Sequence, residues 1–267
     1  MNILDKIIAD SKVQLEQRKI DLPIDVLERK IAERKKAVVS FSEAFVDKNK
    51  VNIITELKKA SPSKGIIRDD FSPKELAAEF EANGAAALSV LTEENYFLGS
   101  RENLVITRNC VDIPILRKDF FYDRYQILEA KALGADAILL IAAALDTKIL
   151  VELYEFAYNI GLEVLFETHN EHEIKIALDI GVEIIGINSR NLRTFEIDLD
   201  ATGRMLDLIP DSKIKIMESG IKTPDDVSRF RKLYDLNGFL IGESLMRKKN
   251  VGAFLKELIG TDSKRMY

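Results

Sequence analysis

The sequence predicts an α/β fold, a (β/α)8 TIM barrel with an N-terminal helical extension covering its mouth, and three observations carry that prediction. A phrase of helix, glycine and short apolar strand recurs, as "EANGAAALSVL", "KALGADAILLI", "YNIGLEVLF" and "LDIGVEIIGIN". Apolar segments centred near Ile54, Val90, Ile115, Leu140, Leu165, Ile187, Ile216 and Leu240 supply the strands, mostly about 25 residues apart. Each is apolar on both faces, as a parallel strand covered by helices must be. An open doubly wound sheet is the rival, but its first turn usually carries GxGxxG, and "KKASPSKG" after Ile54 does not. Residues 1–48 are expected as the extension and 49–267 as the barrel, in one structural domain overall.

In chain order, residues 2–19 and 23–37 are expected as amphipathic helices. Ile3, Ile7, Ile8 and Leu15 form one stripe, and Val26, Leu27 and Ile31 another. The basic run "ERKIAERKK" is expected to be a solvated face. Whether the extension caps the mouth or hangs as a loose arm is open at this level. The first strand holds a puzzle: after the apolar Ile53 and Ile54, Glu56 and Lys58 stand two apart and so share one face. The turn that follows, Ser-Pro-Ser-Lys-Gly, is rich in donors. In "FSPKELAAEF", Ser72 reads as N-cap, Pro73 as the first helical residue and Glu75 as the closing member of a capping box. In "KTPDDV", Thr223 caps, Pro224 follows and two aspartates occupy the first turn. Gly84, Gly134, Gly161 and Gly181 stand where a helix end needs a left-handed residue, while "NCVDIPILRKD" fills the same slot without one.

Composition narrows the class. Of 267 residues, 46% are hydrophobic and 31% charged, which suits a globular chain with one large core. A net charge of −5 argues against a nucleic-acid surface. The longest apolar run, "AILLIAAAL" at 137–145, is too short to cross a membrane, and no membrane role is expected. Charges break up the N-terminal "MNILDKIIADSKVQLEQRK", so a signal peptide is not expected. Cys110 is alone, which points to a reducing, cytoplasmic setting.

Barrels of this kind do their chemistry at the C-terminal ends of the strands. Glu56 and Lys58 stand there after strand 1, Lys118 after strand 3 and Glu167 after strand 5. Asn188 and Arg190 end strand 6, Glu218 and Ser219 end strand 7, and Gly242 and Ser244 follow strand 8. Any one of these might be expected as a structural ion pair. As a set, the cost of desolvating so many polar groups at one mouth points to a ligand. Lysines packed on glutamates also shift each other's acidity, as proton transfer requires. "ESGIKTPDD" and "GESLMR" each place a glycine between strand and helix, so backbone N–H groups there make an anion site, to which Ser61 and Ser63 add hydroxyls. "ETHNEHE", with Glu167, His169, His172 and Glu173, has the composition of a metal cluster but lacks HExxH spacing, and no metal is expected.

Together "ELKKASPSKG", "LTEENYFLGS", "ILRKDFFYDRYQI", "LFETHNEHE", "GINSRNLRTFEIDL", "ESGIKTPDD" and "LIGESLMR" resemble the indole-3-glycerol phosphate synthase family over nearly the whole chain. Arg124 and Met217 depart from the family pattern, where Pro and Ala are usual, and neither is a charged site residue. The resemblance implies closure of 1-(2-carboxyphenylamino)-1-deoxyribulose 5-phosphate to an indole, with loss of carbon dioxide and water, in tryptophan biosynthesis. It implies no organic cofactor and no metal, and a chain that acts as a monomer or associates with other tryptophan-pathway enzymes. By resemblance Lys118 is the general acid of condensation and Glu167 the base of dehydration. Lys58 holds the substrate carboxylate or assists dehydration, Glu56 keeps the lysines charged, and Glu218 holds ribulose hydroxyls. Asn188 and Arg190 position the ring amine and carboxylate. Ser61, Gly220, Gly242 and Ser244 hold the phosphate, with Ser219 beside them, and Phe97, Phe120 and Leu139 wall the ring. Three rivals remain: phosphoribosylanthranilate isomerase, whose Cys–Asp pair the position of Cys110 does not suit; a Schiff-base aldolase using Lys118; and a non-catalytic phosphosugar-binding barrel.

Overall fold

The computed structural model describes residues 3–34, 36–190 and 198–260. Eight parallel strands close into a barrel in sequence order: β1 Ile53–Leu57, β2 Ala87–Leu91, β3 Ile115–Lys118, β4 Ala137–Ile141, β5 Glu163–Thr168, β6 Ile184–Asn188, β7 Ile214–Glu218 and β8 Gly238–Ile241. β8 pairs with β1 (Ile53 with Phe239, Ile54 with Leu240), so no barrel edge is left open. All eight expected strands are present. A two-stranded turn, Ala60–Ser61 with Gly65–Ile66, is added in the first loop and was not anticipated from the sequence.

The period-two alternation of each strand sorts its residues between two layers. Ile54, Ala87, Leu116, Leu139, Leu165, Ile184, Ile216 and Leu240 point inward and fill the barrel. Ile53, Leu88, Val90, Ile115, Ile138, Leu140, Phe166 and Ile185 point outward and meet the helices. Those helices are α3 Pro73–Ala82, α4 Arg101–Cys110, α5 Arg124–Ala132, α6 Thr147–Asn159, α7 Glu171–Ile180, α8 Leu199–Leu206, α9 Pro224–Leu233, the one-turn α10 Glu243–Met246 and α11 Val251–Ile259. Their caps follow the sequence closely. Thr223 and Asp226 complete a capping box, whereas Ser72 Oγ accepts from the Glu75 N–H at 3.4 Å without the reciprocal bond expected of Glu75. Gly84, Gly134, Gly161 and Gly181 all adopt the left-handed conformation, with φ between 74° and 99°.

The extension is a packed cap. Its helices, α1 Ile3–Asp21 and α2 Ile24–Ala32, break at Pro23, and the second is shorter than expected. Leu4, Ile7, Ser11 and Leu15 are the buried face of α1, so Leu4 and Ser11 replace the Ile3 and Ile8 of the expected stripe. Leu15, Leu27 and Tyr125 form a small apolar cluster against α5, and Tyr125 Oη donates to the carbonyls of Arg18 and Leu22. The chain then runs down the barrel wall, where Phe41 and Phe45 plug the floor beneath Ile54, Ala87 and Ile214.

One expectation is corrected here. Arg34, read as part of a solvated basic face, is only 10% exposed and reaches Asp136 at 2.8 Å and the Ala135 carbonyl at 2.9 Å. Asp136 is fully buried and also binds Arg108 at 2.7 Å and the backbone N–H of Ile115 and Val39. Charge periodicity cannot reveal such a partner, because Asp136 lies about a hundred residues away and only the fold brings it close. Removing the hub leaves two guanidinium groups uncompensated, so Asp136→Ala is expected to lower unfolding stability by about 3–5 kcal/mol. Denaturant titration reads this; a loss of about 1 kcal/mol or less, typical of an exposed pair, would contradict it.

Candidate active site

The strand ends converge as the sequence predicts. Glu56 projects into the barrel from β1, and its carboxylate joins both lysines: Oε1 lies 3.1 Å from Lys58 Nζ and Oε2 3.2 Å from Lys118 Nζ. That shared bridge is why an acid and a base face the same way at the end of a buried strand. Lys118 also contacts Glu218 Oε2 at 3.3 Å. Two glycines make room for this chemistry. A Cβ on Gly242 would collide with Glu56 Oε1, and one on Gly186 would collide with Glu218 Oε1. The backbone of β3 is held by a buried ion network below the site. Arg117 pairs with Asp119 at 2.9 Å and Glu129 at 2.8 Å, and Glu129 in turn receives Arg18 of α1 and Arg101 of α4.

Burial makes each charge depend on its neighbours. Desolvation alone would raise Glu56, yet Lys118 and Lys58 hold it below the ordinary carboxylate range. Desolvation alone would lower Lys118, but Glu56, Glu218 and Glu167 hold it above the usual lysine value. Glu218 is pushed up to about 8 by burial and by the negative Glu167 beside it, against the pull of Lys118. Burial would also raise Glu167, but His169, Lys118 and the Asn188 side chain bring it down to about 2. One carboxyl of the pair is therefore an anion and the other an acid at neutral pH.

Above this cluster lie two adjoining chambers. The larger, about 560 Å³, is lined by Ser219, Gly220, Gly242 and Ser244, with Lys64, Lys222 and Arg247 around it. Ser219 (φ 65°) and Gly220 (φ 86°) are both left-handed, a conformation that side chains other than glycine adopt at a cost and that tends to mark ligand sites. Ser244 Oγ donates to the Ile221 carbonyl at 2.9 Å, which leaves its backbone N–H, in the first turn of α10, as the donor facing the chamber. The smaller chamber, about 120 Å³, is apolar: Phe97, Phe120, Leu139, Leu91 and Ile141 form its wall, and Ile3, Leu4 and Ile7 of α1 close it. Phe97 and Phe120 stand 6.1 Å apart, and Lys58 Nζ lies 5.8 Å over the Phe97 ring.

Glu56, Lys58, Lys118, Arg190, Ser219 and Glu243 line both chambers and so mark their junction. Glu167 and Asn188 line the apolar one. Asn188 Oδ1 accepts from the Arg190 N–H at 3.0 Å, and the Arg190 guanidinium lies 3.6 Å from Glu243. Ser61 is not brought to the other three residues expected to hold a phosphate. Its hydroxyl is buried in the apolar chamber, and Lys64 of the same loop faces the larger one instead. Residues 191–197 of the "GINSRNLRTFEIDL" motif lie outside the described residues. Sequence reasoning passed over Glu243 and the α1 residues, whose roles arise from how loops and extension fold over the mouth. It also set aside His169, whose position two beyond Glu167 was the available signal. Among the described residues no group of three or more His, Cys, Asp or Glu is placed to hold a metal, and no helix is long and apolar enough to cross a membrane.

Comparison with known proteins agrees with this geometry. Solved barrels share the fold alone: KGPDC from Streptococcus mutans (TM-score 0.61, 15% identity, 80% of this chain and 98% of that one) and thiamine phosphate pyrophosphorylase from Pyrococcus furiosus (TM-score 0.61, 14% identity, 82% and 99%). Sequence relatives are much nearer. Indole-3-glycerol phosphate synthases from Endomicrobium trichonymphae (49% identity, 96% of this chain and 99% of the relative), Alkaliphilus metalliredigens (47%, 96% and 97%) and Campylobacter jejuni (46%, 96% and 100%) align almost end to end. The family model described as indole-3-glycerol phosphate synthase matches residues 4–258, a span that holds every strand-end residue named above, and the chain belongs to that family.

Proposed function

We propose that this chain, a decarboxylating, ring-closing lyase of tryptophan biosynthesis by family, closes 1-(2-carboxyphenylamino)-1-deoxyribulose 5-phosphate across the junction of its two chambers. The observation that carries the reading is that the Glu56–Lys58–Lys118 bridge lies where a large polar chamber meets a smaller apolar one. The phosphate sits on the backbone donors of Gly220, Gly242 and Ser244 beside Ser219. The aromatic ring lies between Phe97, Phe120 and Leu139. The ketone is then held over Lys118.

In the first step the ring carbon bearing the carboxylate attacks the ketone carbon, and Lys118 gives its proton to the oxygen as the new bond forms. An alkoxide is a far stronger base than an amine, so the transfer is downhill even from a lysine that its neighbours hold firmly protonated. Carbon dioxide then leaves and its electron pair restores the ring. In the last step the new hydroxyl departs as water, aided by Lys58, while Glu167 takes the proton released as the indole double bond forms. Glu56 keeps both lysines charged, Glu218 binds ribulose hydroxyls, and Asn188 and Arg190 orient the amine and carboxylate. A lysine kept protonated by neighbouring carboxylates, Glu56 first among them, is a poor nucleophile, which weighs against Schiff-base chemistry at Lys118.

The test is to mix the full chain with this substrate in EDTA and follow indole fluorescence. A steady rise is expected. A silent, folded protein that instead forms a borohydride-trapped adduct at Lys118 would replace this reading with the aldolase.

A further inference from the structure

His169, half-buried beside Glu167, has no part in the chemistry above. It follows Glu167 by two residues, on the same face of the chain, and both of its ring nitrogens face carboxylates. Nε2 lies 3.2 Å from Glu167 Oε1, and Nδ1 lies 3.3 Å from Glu173 Oε2. Glu173 is itself fixed, at the third position of α7. It accepts the His169 backbone N–H at 2.7 Å and the Asn170 side-chain amide at 2.6 Å. Nδ1 is at hydrogen-bond distance from Glu173 and Nε2 at ion-pair distance from Glu167, so a neutral imidazole would turn a lone pair toward one of the two carboxylates, whereas an imidazolium sets positive charge against both. The arrangement therefore selects the charged ring.

The Glu167 carboxylate has a competitor for the negative charge. Glu218 stands beside it, two strands along, and is raised by its charge, while Lys118 lies against Glu218 and favours ionisation there. We infer that His169, clamped by Glu173, is a positioning residue that keeps the negative charge on Glu167 rather than on Glu218. The groups facing the pair are Lys118 from β3, the Asn188 amide from β6, Glu218 from β7, and His169 with Glu173 behind it. The Asn188 amide and the imidazolium both favour the anion on Glu167, and the imidazolium, which carries a full positive charge, contributes the larger share. The directions of ionisation agree. Burial pulls His169 down, and its two carboxylates lift it to about 10. Its folded value is raised, so this stabilisation is fully present below the ordinary histidine value of 6.5 and is lost as pH rises through about 10.

The inference rests on Glu167 being the base, and the experiment separates the two. The chain has two histidines, so nitrogen NMR of the intact protein gives two imidazole patterns, and His172→Gln assigns them. His169 is expected to keep the imidazolium pattern past pH 8; titration between pH 6 and 7, as for an unperturbed histidine near 6.5, would overturn the clamp whatever the reaction. In turnover, His169→Gln is expected to lower kcat by about tenfold or more with KM within about twofold, and to bring an acid limb into the kcat profile above pH 4, because Glu167 then holds a proton more tightly. Glu173→Gln should move both readouts the same way by less, and it carries the test if His169→Gln does not fold. Equal losses in kcat and KM with an unmoved pH profile would make His169 scaffold only. Retained activity in Glu167→Gln would overturn the base assignment while leaving the NMR result standing.

Discussion

Lys118→Ala is expected to lower kcat by about 10³-fold, within the range that a positioned general acid supplies, while KM changes little. Lys118 is one of many residues lining the two chambers, so binding is expected to survive its loss. Folding survives as well, for a reason visible in the site. Glu56 keeps Lys58 as a partner at 3.1 Å, and Glu218, already pushed up to about 8, stays neutral once Lys118 no longer pulls it down. No uncompensated buried charge is created, so the thermal midpoint should fall far less than for Asp136→Ala. Lys118→Arg is not expected to rescue activity, because a guanidinium does not release a proton and its planar fork does not fit a site shaped around a point charge. Fluorescence of the indole product and a thermal melt check both halves. A variant that keeps its kcat would shift the acid role to Lys58, which shares the Glu56 carboxylate and faces the same junction.

The strands, the glycine caps and the strand-end chemistry were legible because each rests on short-range pattern. Alternation places Ile54 and Glu56 on one face, and a helix end needing φ > 0 calls for Gly181 whatever lies elsewhere. What was not legible depends on long-range contact. The burial of Leu4 and Ser11 follows from how α1 lies over the mouth, with Tyr122 3.2 Å from Ser11 Oγ. Arg34 is fixed by Asp136, and Phe45 is fixed by the floor of the barrel. Ser61 was assigned to the phosphate from its loop and by resemblance, whereas the fold sets it in the lining of the apolar chamber. The two histidines of "ETHNEHE" show the same limit. Composition raised a metal cluster, whereas the fold points His169 inward to two glutamates and leaves His172 on the solvent side of α7.

Glu167→Gln separates the steps of the reaction, because it keeps the shape of the base and removes its charge. Condensation and decarboxylation need Lys118 and not Glu167, so the variant is expected to release about one carbon dioxide per active site and then stall before dehydration. Steady indole formation should fall by about 10²–10⁴-fold. Carboxyl-labelled substrate reads the first quantity and fluorescence the second, in one rapid-mixing experiment. Lys118→Ala should show neither signal, since no bond forms for the carbon dioxide to leave from. The pH response changes in a defined sense. In the native chain Glu218 carries a raised value of about 8, first because it is buried and then because Glu167 is negative. The cost of that burial is absent below the unfolded value near 4.5 and grows as pH rises toward 8. With Gln at 167 that repulsion is gone while burial remains, so Glu218 moves down under the pull of Lys118. Any alkaline limb near pH 8 in the native profile should therefore move to lower pH in the variant. Loss of the carbon dioxide burst together with the indole signal would place Glu167 before decarboxylation, and the division of labour between the two carboxylates would have to be redrawn around the condensation step.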